Sequence, residues 1–264
     1  GEVDAAFSDN DGERYRLNAY LQGGQYALAV RLLASSIPSC AELGLPLSVQ
    51  HLAELEQGLV LSVGPTGSGK STTLASLLQR INMSRAVHIV TLEDPVEYLY
   101  PQGVALISQR EIGRDTAGFA SGLRSALRQD PDVILVGELR DSESIAMALS
   151  AAETGHLVFA TLHTQDAAGS INRILDALPE RQAQVRTQLA ECLQAIVCQR
   201  LLPRADGRGR VAAFEVLVAT EALRNLIREG RTHQLESYIQ TGKRFGMVTL
   251  TESVSELRRQ GIIK

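Results

Sequence analysis

The chain has 264 residues, of which 44% are hydrophobic and 21% charged, a composition typical of a globular protein with one or two domains and a substantial core. The formal net charge of −4 and the aromatic content of only 4% argue against a nucleic-acid-binding protein with a basic field or a base-stacking platform. No apolar run approaches the roughly 20 residues of a membrane span, and the N-terminus shows no signal peptide. Because the chain begins with Gly1 rather than methionine, we expect an N-terminal portion to be missing.

The first 34 residues are predicted to be rich in β-strand. Strands are expected over 3–7, 15–21 and 26–33, with turns at Asn10-Asp11-Gly12 and Gly23-Gly24. Arg14, Arg16 and Arg31 lie on or beside these strands, where an arginine usually faces solvent. Residues 35–48 carry two prolines and are predicted to be a linker, so we place the domain boundary there. The predicted domains are therefore 1–34 and 49–264.

The segment 59–78 is the most informative part of the sequence. An apolar run over 59–63 predicts a buried strand, residues 73–78 have helical spacing, and the motif G-x-x-x-x-G-K-S lies between them. Glycines allow the backbone N–H groups to point inward at phosphate oxygens, and the following helix adds its positive N-terminal end. The candidate nucleotide-binding residues are Gly64, Pro65, Thr66, Gly67, Ser68, Gly69, Lys70, Ser71 and Thr72.

Three side chains of this loop have distinct predicted roles. Lys70 is expected to reach the β- and γ-phosphates, Ser71 to bind Mg²⁺, and Thr72 to donate to the α-phosphate. The sequence therefore predicts a protein that binds a nucleoside triphosphate together with Mg²⁺.

Helices and strands are predicted to alternate from residue 49 to about 166. Helices are expected over 49–55, 71–80, 118–129 and 141–152, and strands over 59–63, 87–92, 104–108, 133–136 and 156–162. Alternation around a phosphate loop predicts an α/β fold with a mostly parallel sheet covered on both faces. Beyond about 166 the chain is predicted to be largely helical, with a strand over 211–218, a helix over 221–229 and a last amphipathic helix marked by Leu250, Val254 and Leu257.

The three cysteines, Cys40, Cys192 and Cys198, form no disulfide framework and fit a reducing cytoplasm. Cys192 and Cys198 are predicted to share one helix, about 240° apart around its axis and about 9 Å apart along it, so they cannot share a metal or a bridge there. Cys192 lies on an apolar stripe with Val185 and Leu189, which predicts a buried core thiol.

Polar residues follow several predicted strands, and in open α/β sheets ligands collect at such carboxyl ends. Glu138 closes an apolar strand, where a carboxylate can hold Mg²⁺ directly or through water. Glu93 can orient or deprotonate an attacking water, a role worth about 10²–10⁴ in rate, whereas Asp94 is also compatible with a turn. His156 and His163 bracket one strand and should point to opposite faces. Either can be a structural histidine, but His163 is better placed to sense the γ-phosphate.

Three segments, 91–97, 130–141 and 152–164, resemble the Asp box, Walker B and His box of the type II/type IV secretion ATPase superfamily, in that order. The run Ala222–Glu229 is close to the AIRNLIRE signature of the pilus-retraction branch, with Leu223 in place of isoleucine. Gln240-Thr-Gly and Phe245-Gly-Met also look like that branch. The resemblance covers essentially the whole chain, and 1–34 matches the end of the family's PAS-like N-terminal domain, a small β-rich α+β domain.

This resemblance implies a RecA-like P-loop NTPase core and a homo-hexameric ring with ATP held between two domains. It implies Glu93 as general base, Glu138 at Mg²⁺, and Arg16 and Arg31 as charge-neutralising arginines, while Arg14 has no implied role. The implied partners are an inner-membrane pilus platform protein and a second pilus ATPase paralogue, with no nucleic acid. The implied location is the cytoplasmic face of the inner membrane.

The resemblance favours a motor for type IV pilus retraction, as in twitching motility. Extension and type II secretion relatives usually carry a four-cysteine zinc segment, and the corresponding stretch Leu201–Arg210 has no cysteine. The alternatives are a nucleotide-gated accessory paralogue, a secretion or pilus-assembly ATPase, and a DNA-handling ATPase of the same fold. The set of acidic residues at strand ends favours an active enzyme. The polar face of the Arg224 helix is a candidate coupling surface or simply a solvated face.

Overall fold

The computed structural model describes residues 2–10, 13–33 and 35–264. Its N-terminal part is an antiparallel sheet in which the order is β1 (Val3–Ser8), β2 (Arg14–Gln22) and β3 (Gln25–Leu32). Gly23 and Gly24 form the turn between β2 and β3 with φ angles of 60° and 79°, the left-handed geometry that tight hairpins need. The turn predicted at Asn10-Asp11-Gly12 lies outside the described residues, since 11 and 12 are not among them.

The rest of the chain forms a seven-stranded sheet with helices on both faces, which confirms the predicted fold class. Its strands are β4 (Gly58–Val63), β5 (His88–Glu93), β6 (Leu106–Glu111), β7 (Val133–Val136), β8 (Leu157–Leu162), β9 (Leu193–Pro203) and β10 (Arg210–Val218). The strand order is β10-β9-β4-β8-β7-β5-β6, and every pair is parallel except β10 with β9.

The helices predicted over 71–80, 118–129, 141–152 and 221–229 are present, with shifts at their ends. They are α1 (Leu47–Gln50), α2 (Lys70–Ser84), α3 (Phe119–Ala126), α4 (Ser142–Glu153), α5 (Ala167–Asp176), α6 (Gln182–Cys192), α7 (Glu221–Arg228), α8 (Leu235–Thr241) and α9 (Leu250–Arg259). Short 3₁₀ turns cover His51–Glu54, Pro179–Arg181, Thr232–Gln234 and Lys243–Phe245. In the described part of the chain, no helix has the length and hydropathy that crossing a bilayer requires.

Strand β4 shows why the central strands are continuously apolar. All six of its residues are buried. Leu59 and Leu61 pack into the cluster formed with α3 to α8, whereas Val60 packs into the cluster formed with α1 and α2 on the opposite face. Because helices cover both faces of the sheet at β4, a ligand can approach this strand at its carboxyl end. The phosphate loop lies there.

The prediction of one helix carrying both Cys192 and Cys198 is wrong. Helix α6 ends at Cys192, and Cys198 lies in β9, where its thiol donates to Glu215 Oε1 at 3.3 Å. The run from Leu193 to Cys198 is apolar because β9 is buried between β4 and β10, and such a short apolar run fits helix and strand alike. Cys192 is a buried free thiol as predicted, and burial raises its pKa to about 12.

The prediction that Arg224 points outward is also wrong. Its side chain turns toward α6 and donates to the carbonyl oxygens of Ala190 and Glu191, the latter at 2.6 Å. These are unsatisfied carbonyls at the C-terminal end of α6, where a cation is also favoured by the helix dipole. On the same helix, Arg228 is exposed and pairs with Glu221 at 3.1 Å. Arg224 therefore links α7 to the end of α6 through a half-buried side chain.

Replacing Arg224 with alanine should lower the free energy of unfolding by about 1–2 kcal/mol, because two helix-terminal carbonyls lose their charged donor. Chemical denaturation followed by circular dichroism measures this change. Arg228→Ala is the matched control on the same helix, and its exposed pair should be worth much less. Equal effects of the two substitutions would contradict the capping role of Arg224.

Candidate functional site

The phosphate loop joins β4 to α2, and two of its glycines are required by close packing against β9. Gly64 has a φ of 147°, and a Cβ there would lie 2.5 Å from the carbonyl oxygen of Gln199. Gly69 has a φ of 91°, and its Cβ would lie 2.6 Å from Gln199 Nε2. Gln199 is buried and also accepts a hydrogen bond from Thr73 Oγ1 at 2.7 Å. The loop is therefore shaped by a strand that the sequence pattern placed in a helix.

Lys70 lies over this loop with its ammonium group turned back to the backbone. Its Nζ donates to the carbonyl oxygens of Gly64 at 2.7 Å and Pro65 at 3.1 Å. Burial lowers the pKa of Lys70, and the nearby charges of Glu138 and Glu97 oppose that shift. The hydroxyl of Ser68 is buried and has no hydrogen-bond partner among the described residues. The Lys70 ammonium, held by neutral carbonyl oxygens, and the unpartnered Ser68 hydroxyl are together suited to bind phosphate oxygens.

One cavity of about 660 Å³ brings together most of the predicted site residues. Its lining includes, from the predicted set, Arg16, Arg31, Thr66, Gly67, Gly69, Lys70, Ser71, Thr72, Glu93, Glu138 and His163. Gly64, Pro65 and Ser68 belong to the same loop but are not part of that lining. The convergence of strand ends expected from the sequence is therefore present in the structure.

Two side chains contact the Glu138 carboxylate just after the end of β7. Arg140 donates through Nε to Glu138 Oε2 at 2.6 Å and also pairs with Asp94 Oδ2 at 3.3 Å. The hydrogen bond to Glu138 raises the pKa of Arg140. His163 Nε2 lies 3.4 Å from Glu138 Oε1, so the histidine expected near the γ-phosphate contacts the predicted magnesium carboxylate. Arg140 was not singled out in the sequence, although it lies two residues after Glu138.

His156 lies apart from this network. Its Nδ1 is 3.0 Å from the carbonyl oxygen of Ala151 near the end of α4, which is the structural role left open for it. Both histidines fall just outside β8, so the strand itself does not set their relative direction.

Glu93 ends β5 and carries its carboxylate on the cavity wall. Thr91 Oγ1 donates to Glu93 Oε1 at 2.7 Å, and Gln109 Nε2 donates to the same oxygen at 3.2 Å. Burial raises the pKa of Glu93, and the hydrogen bonds from Thr91 and Gln109 partly oppose the shift. A carboxylate with a raised pKa beside a phosphate loop is suited to accept a proton from water.

The N-terminal sheet supplies cations to the same cavity. Arg16 on β2 and Arg31 on β3 are directly opposite in the strand register, and both line the cavity, as does Arg210 of β10. Like charges at paired positions repel, so an anion between them would be favourable. Arg210 has no motif that would have identified it.

Arg14 differs from the solvent-facing role expected from the sequence. Its guanidinium donates to the carbonyl oxygens of Val96 at 2.9 Å and Glu97 at 3.1 Å. These two residues follow Glu93 in the loop after β5. Arg14 therefore links the N-terminal sheet to the loop that follows Glu93, the candidate base.

The donor set fits Mg²⁺ bound together with a triphosphate. The Ser71 hydroxyl and the Glu138 carboxylate are hard oxygen donors, and both residues line the cavity. Within residues 2–10, 13–33 and 35–264, no group of three or more His, Cys, Asp or Glu side chains could hold a metal by itself. Mg²⁺ usually binds through one or two carboxylates plus substrate phosphates rather than in an all-protein cage, so this sparse set is the expected one.

Comparisons with known proteins identify the family and relatives of this chain. The model of the family described as type II/IV secretion system protein matches residues 45–262. The twitching motility protein of Neisseria gonorrhoeae is 49% identical over 99% of this chain and 70% of its own length. The type IV pilus retractation ATPase PilT of Pseudomonas aeruginosa is 47% identical over 99% of this chain and 76% of its own. A crystal structure of the pilus retraction motor PilT with bound ADP superposes with a TM-score of 0.93 at 48% identity, covering 100% of this chain and 75% of that one.

Proposed function

Since this chain belongs to the type II/IV secretion system protein family, we propose that it is the ATP-hydrolysing motor that powers type IV pilus retraction. The observation that carries the proposal is the single cavity in which the phosphate loop meets Glu93, Glu138 and the paired arginines. The similarity to proteins named for twitching motility and pilus retraction supports the kind of work that hydrolysis would drive.

In this proposal the triphosphate lies along the loop between the two sheets. Lys70 leaves the loop carbonyls for the β- and γ-phosphates, and Arg16 and Arg31 neutralise charge from the opposite side. Ser71 and Glu138 would hold Mg²⁺, which supplies further charge neutralisation at the phosphates. The attacking water forms a bond to the γ-phosphorus as the bond to the ADP oxygen breaks, and Glu93 takes the proton of that water.

The assembly and partners belong to the same proposal. The subunits would form a homo-hexameric ring at the cytoplasmic face of the inner membrane. Domain closure would proceed from subunit to subunit around the ring and act on a pilus platform protein. A second ATPase paralogue would work alongside this ring. Arg14 supports coupling within one subunit, because it joins the N-terminal sheet to the loop that follows Glu93. Closure of the subunit over ATP would therefore move the N-terminal sheet and the loop after Glu93 as hydrolysis proceeds.

A deletion of the gene in its own organism should abolish twitching and increase the number of pili on the cell surface, because pili are then assembled without being withdrawn. Electron microscopy and a surface motility assay measure both effects, and the wild-type gene on a plasmid is the control. The purified protein should release phosphate from ATP. A deletion strain without pili would indicate an assembly motor, and a purified protein that binds ATP without hydrolysing it would indicate a regulator.

A further inference from the structure

Gln109 on β6 forms a hydrogen-bonded bridge beside the candidate base. Its Nε2 donates to Glu93 Oε1 at 3.2 Å and to the carbonyl oxygen of Tyr98 at 2.8 Å, and its Oε1 accepts from the Tyr100 N–H at 3.4 Å. The partners fix the orientation of this amide, since a flipped group would place its oxygen against two acceptors. Both of its N–H donors and one acceptor site of its oxygen are thus used beside Glu93.

Tyr98 continues this bridge to the phosphate loop. Its side chain is buried, and its hydroxyl lies 2.9 Å from Thr72 Oγ1 in the first turn of α2. If the Thr72 hydroxyl donates to a phosphate, it must accept from the Tyr98 hydroxyl, which fixes the direction of that hydrogen bond. A continuous path then runs from Thr72 through Tyr98 and Gln109 to Glu93.

We propose that Gln109 is a positioning residue that fixes the Glu93 carboxylate and links it, through Tyr98, to Thr72 in the phosphate loop. The side-chain donors of Thr91 and Gln109 both fall on Oε1, and the backbone of Glu97 adds a weaker hydrogen bond to this carboxylate. Oε2 receives neither side-chain donor and is the oxygen better placed to take the proton from water. Binding of a nucleoside triphosphate at Thr72 strengthens the hydrogen bond between the Thr72 and Tyr98 hydroxyls. Tyr98 in turn holds Gln109 against Glu93. The Glu93 carboxylate is therefore positioned when a triphosphate occupies the phosphate loop.

The chemistry of the position requires a glutamine. Glutamate at 109 would bring a second carboxylate within hydrogen-bond distance of Glu93 and would face the Tyr98 carbonyl without a proton to donate. Leucine would keep the side-chain volume but remove both donors. Position 109 pairs with Thr91 in the parallel register, so both donors to Glu93 come from neighbouring strands of one rigid sheet.

The test compares Gln109→Leu and Gln109→Glu with wild type in the full chain. Misplacing the base should lower kcat by about 10- to 100-fold while the Kd for a fluorescent ATP analogue stays within about 3-fold. Loss of a donor to the carboxylate should also move the acid limb of the pH–rate profile to higher pH. Gln102→Leu, which changes an exposed glutamine seven residues earlier in the chain, is the matched control and should leave kcat, Kd and pH profile unchanged.

Two further variants test the path itself. In a Glu93→Gln background, Gln109→Leu should lower kcat no further, because the group that it positions has already been removed. Tyr98→Phe keeps the carbonyl contact with Gln109 but removes the hydroxyl contact with Thr72, so it should lower kcat by less than Gln109→Leu does. Wild-type kcat in Tyr98→Phe would overturn the link to Thr72.

The inference rests on the proposed function, and the measurements separate the two. A wild-type protein that does not hydrolyse ATP would refute the function. Normal turnover and an unshifted pH profile in both Gln109 variants would refute only the positioning role. Titration of Glu93 by ¹³C NMR, identified by difference from Glu93→Gln, needs no turnover. It should show a higher carboxyl pKa in Gln109→Leu than in wild type, and an unchanged pKa would overturn the proposal directly.

Discussion

Replacing Lys70 with alanine is expected to abolish ATP hydrolysis and to weaken ATP binding severely. The Lys70 ammonium is the cation nearest the loop carbonyls of Gly64 and Pro65, and it lies in a partly desolvated site where its attraction to phosphate oxygens is strong. Phosphate release by the purified protein and isothermal titration with ATP measure the two effects.

The same substitution should leave the nucleotide-free fold intact or make it more stable. Burial lowers the pKa of Lys70 in the folded state, so at neutral pH the charged ammonium costs folding free energy. This penalty declines as the pH rises from the lowered pKa to that of an ordinary lysine. Wild type at 100 times the Kd should gain about 2.7 kcal/mol from ATP, whereas Lys70→Ala should gain almost nothing at that concentration. Thermal unfolding with and without ATP distinguishes lost binding from lost folding.

Lys243→Ala is the matched control for Lys70, since it removes an exposed ammonium that pairs with Glu252 on the surface. It should hydrolyse and bind ATP like wild type. If Lys70→Ala retained tight ATP binding, the loop would not be the phosphate site. The carboxyl end of β4 would then need another role.

The phosphate loop could be predicted because its information is local. The strand, the glycines and the helix start lie within 20 consecutive residues, and each obeys a rule of backbone geometry or hydrophobic spacing. Glu138 was singled out for a similar reason, as a carboxylate two residues after a four-residue apolar strand. Parallel strands place such residues at one edge, so the sequence alone could predict a shared site.

Gln199, Arg14 and Gln109 could not be predicted, because their roles depend on contacts between distant parts of the chain. Gln199 meets Thr73 across 126 residues, and Arg14 meets Val96 across 82. Strand alternation indicates which residues share a face, but the element that covers the face decides whether an arginine there is solvated or bonded. Gln109 also lay in a strand whose predicted end stopped one residue short of it.

Glu93→Gln should bind ATP with nearly wild-type affinity while hydrolysis falls by about 10²–10⁴. The side-chain oxygen of the new glutamine can still accept hydrogen bonds from Thr91 and Gln109, so we expect the local structure to be unchanged. What is lost is the ability to take a proton from the attacking water. Single-turnover phosphate release, together with titration of a fluorescent ATP analogue, separates the chemical step from binding.

The pH dependence of the wild-type enzyme provides a second signature. Burial raises the pKa of Glu93, so kcat/KM should fall as the pH drops through a value above that of an ordinary glutamate. The same raised pKa means that ionised Glu93 disfavours folding at neutral pH and that this penalty is lost on acidification. Glu93→Gln should therefore be at least as stable as wild type at pH 7, and its residual rate should lack the acid limb.

Glu143→Gln, which changes an exposed carboxylate on α4, should match wild type in rate, affinity and pH profile. Asp94→Asn tests the neighbouring acid, which pairs with Arg140 and should therefore affect the rate less than Glu93→Gln does. If Glu93→Gln turned over ATP normally, the base would have to be Glu138, the other carboxylate on the cavity wall at a strand end. That carboxylate contacts Arg140 and His163, so taking a proton from water would weaken both contacts.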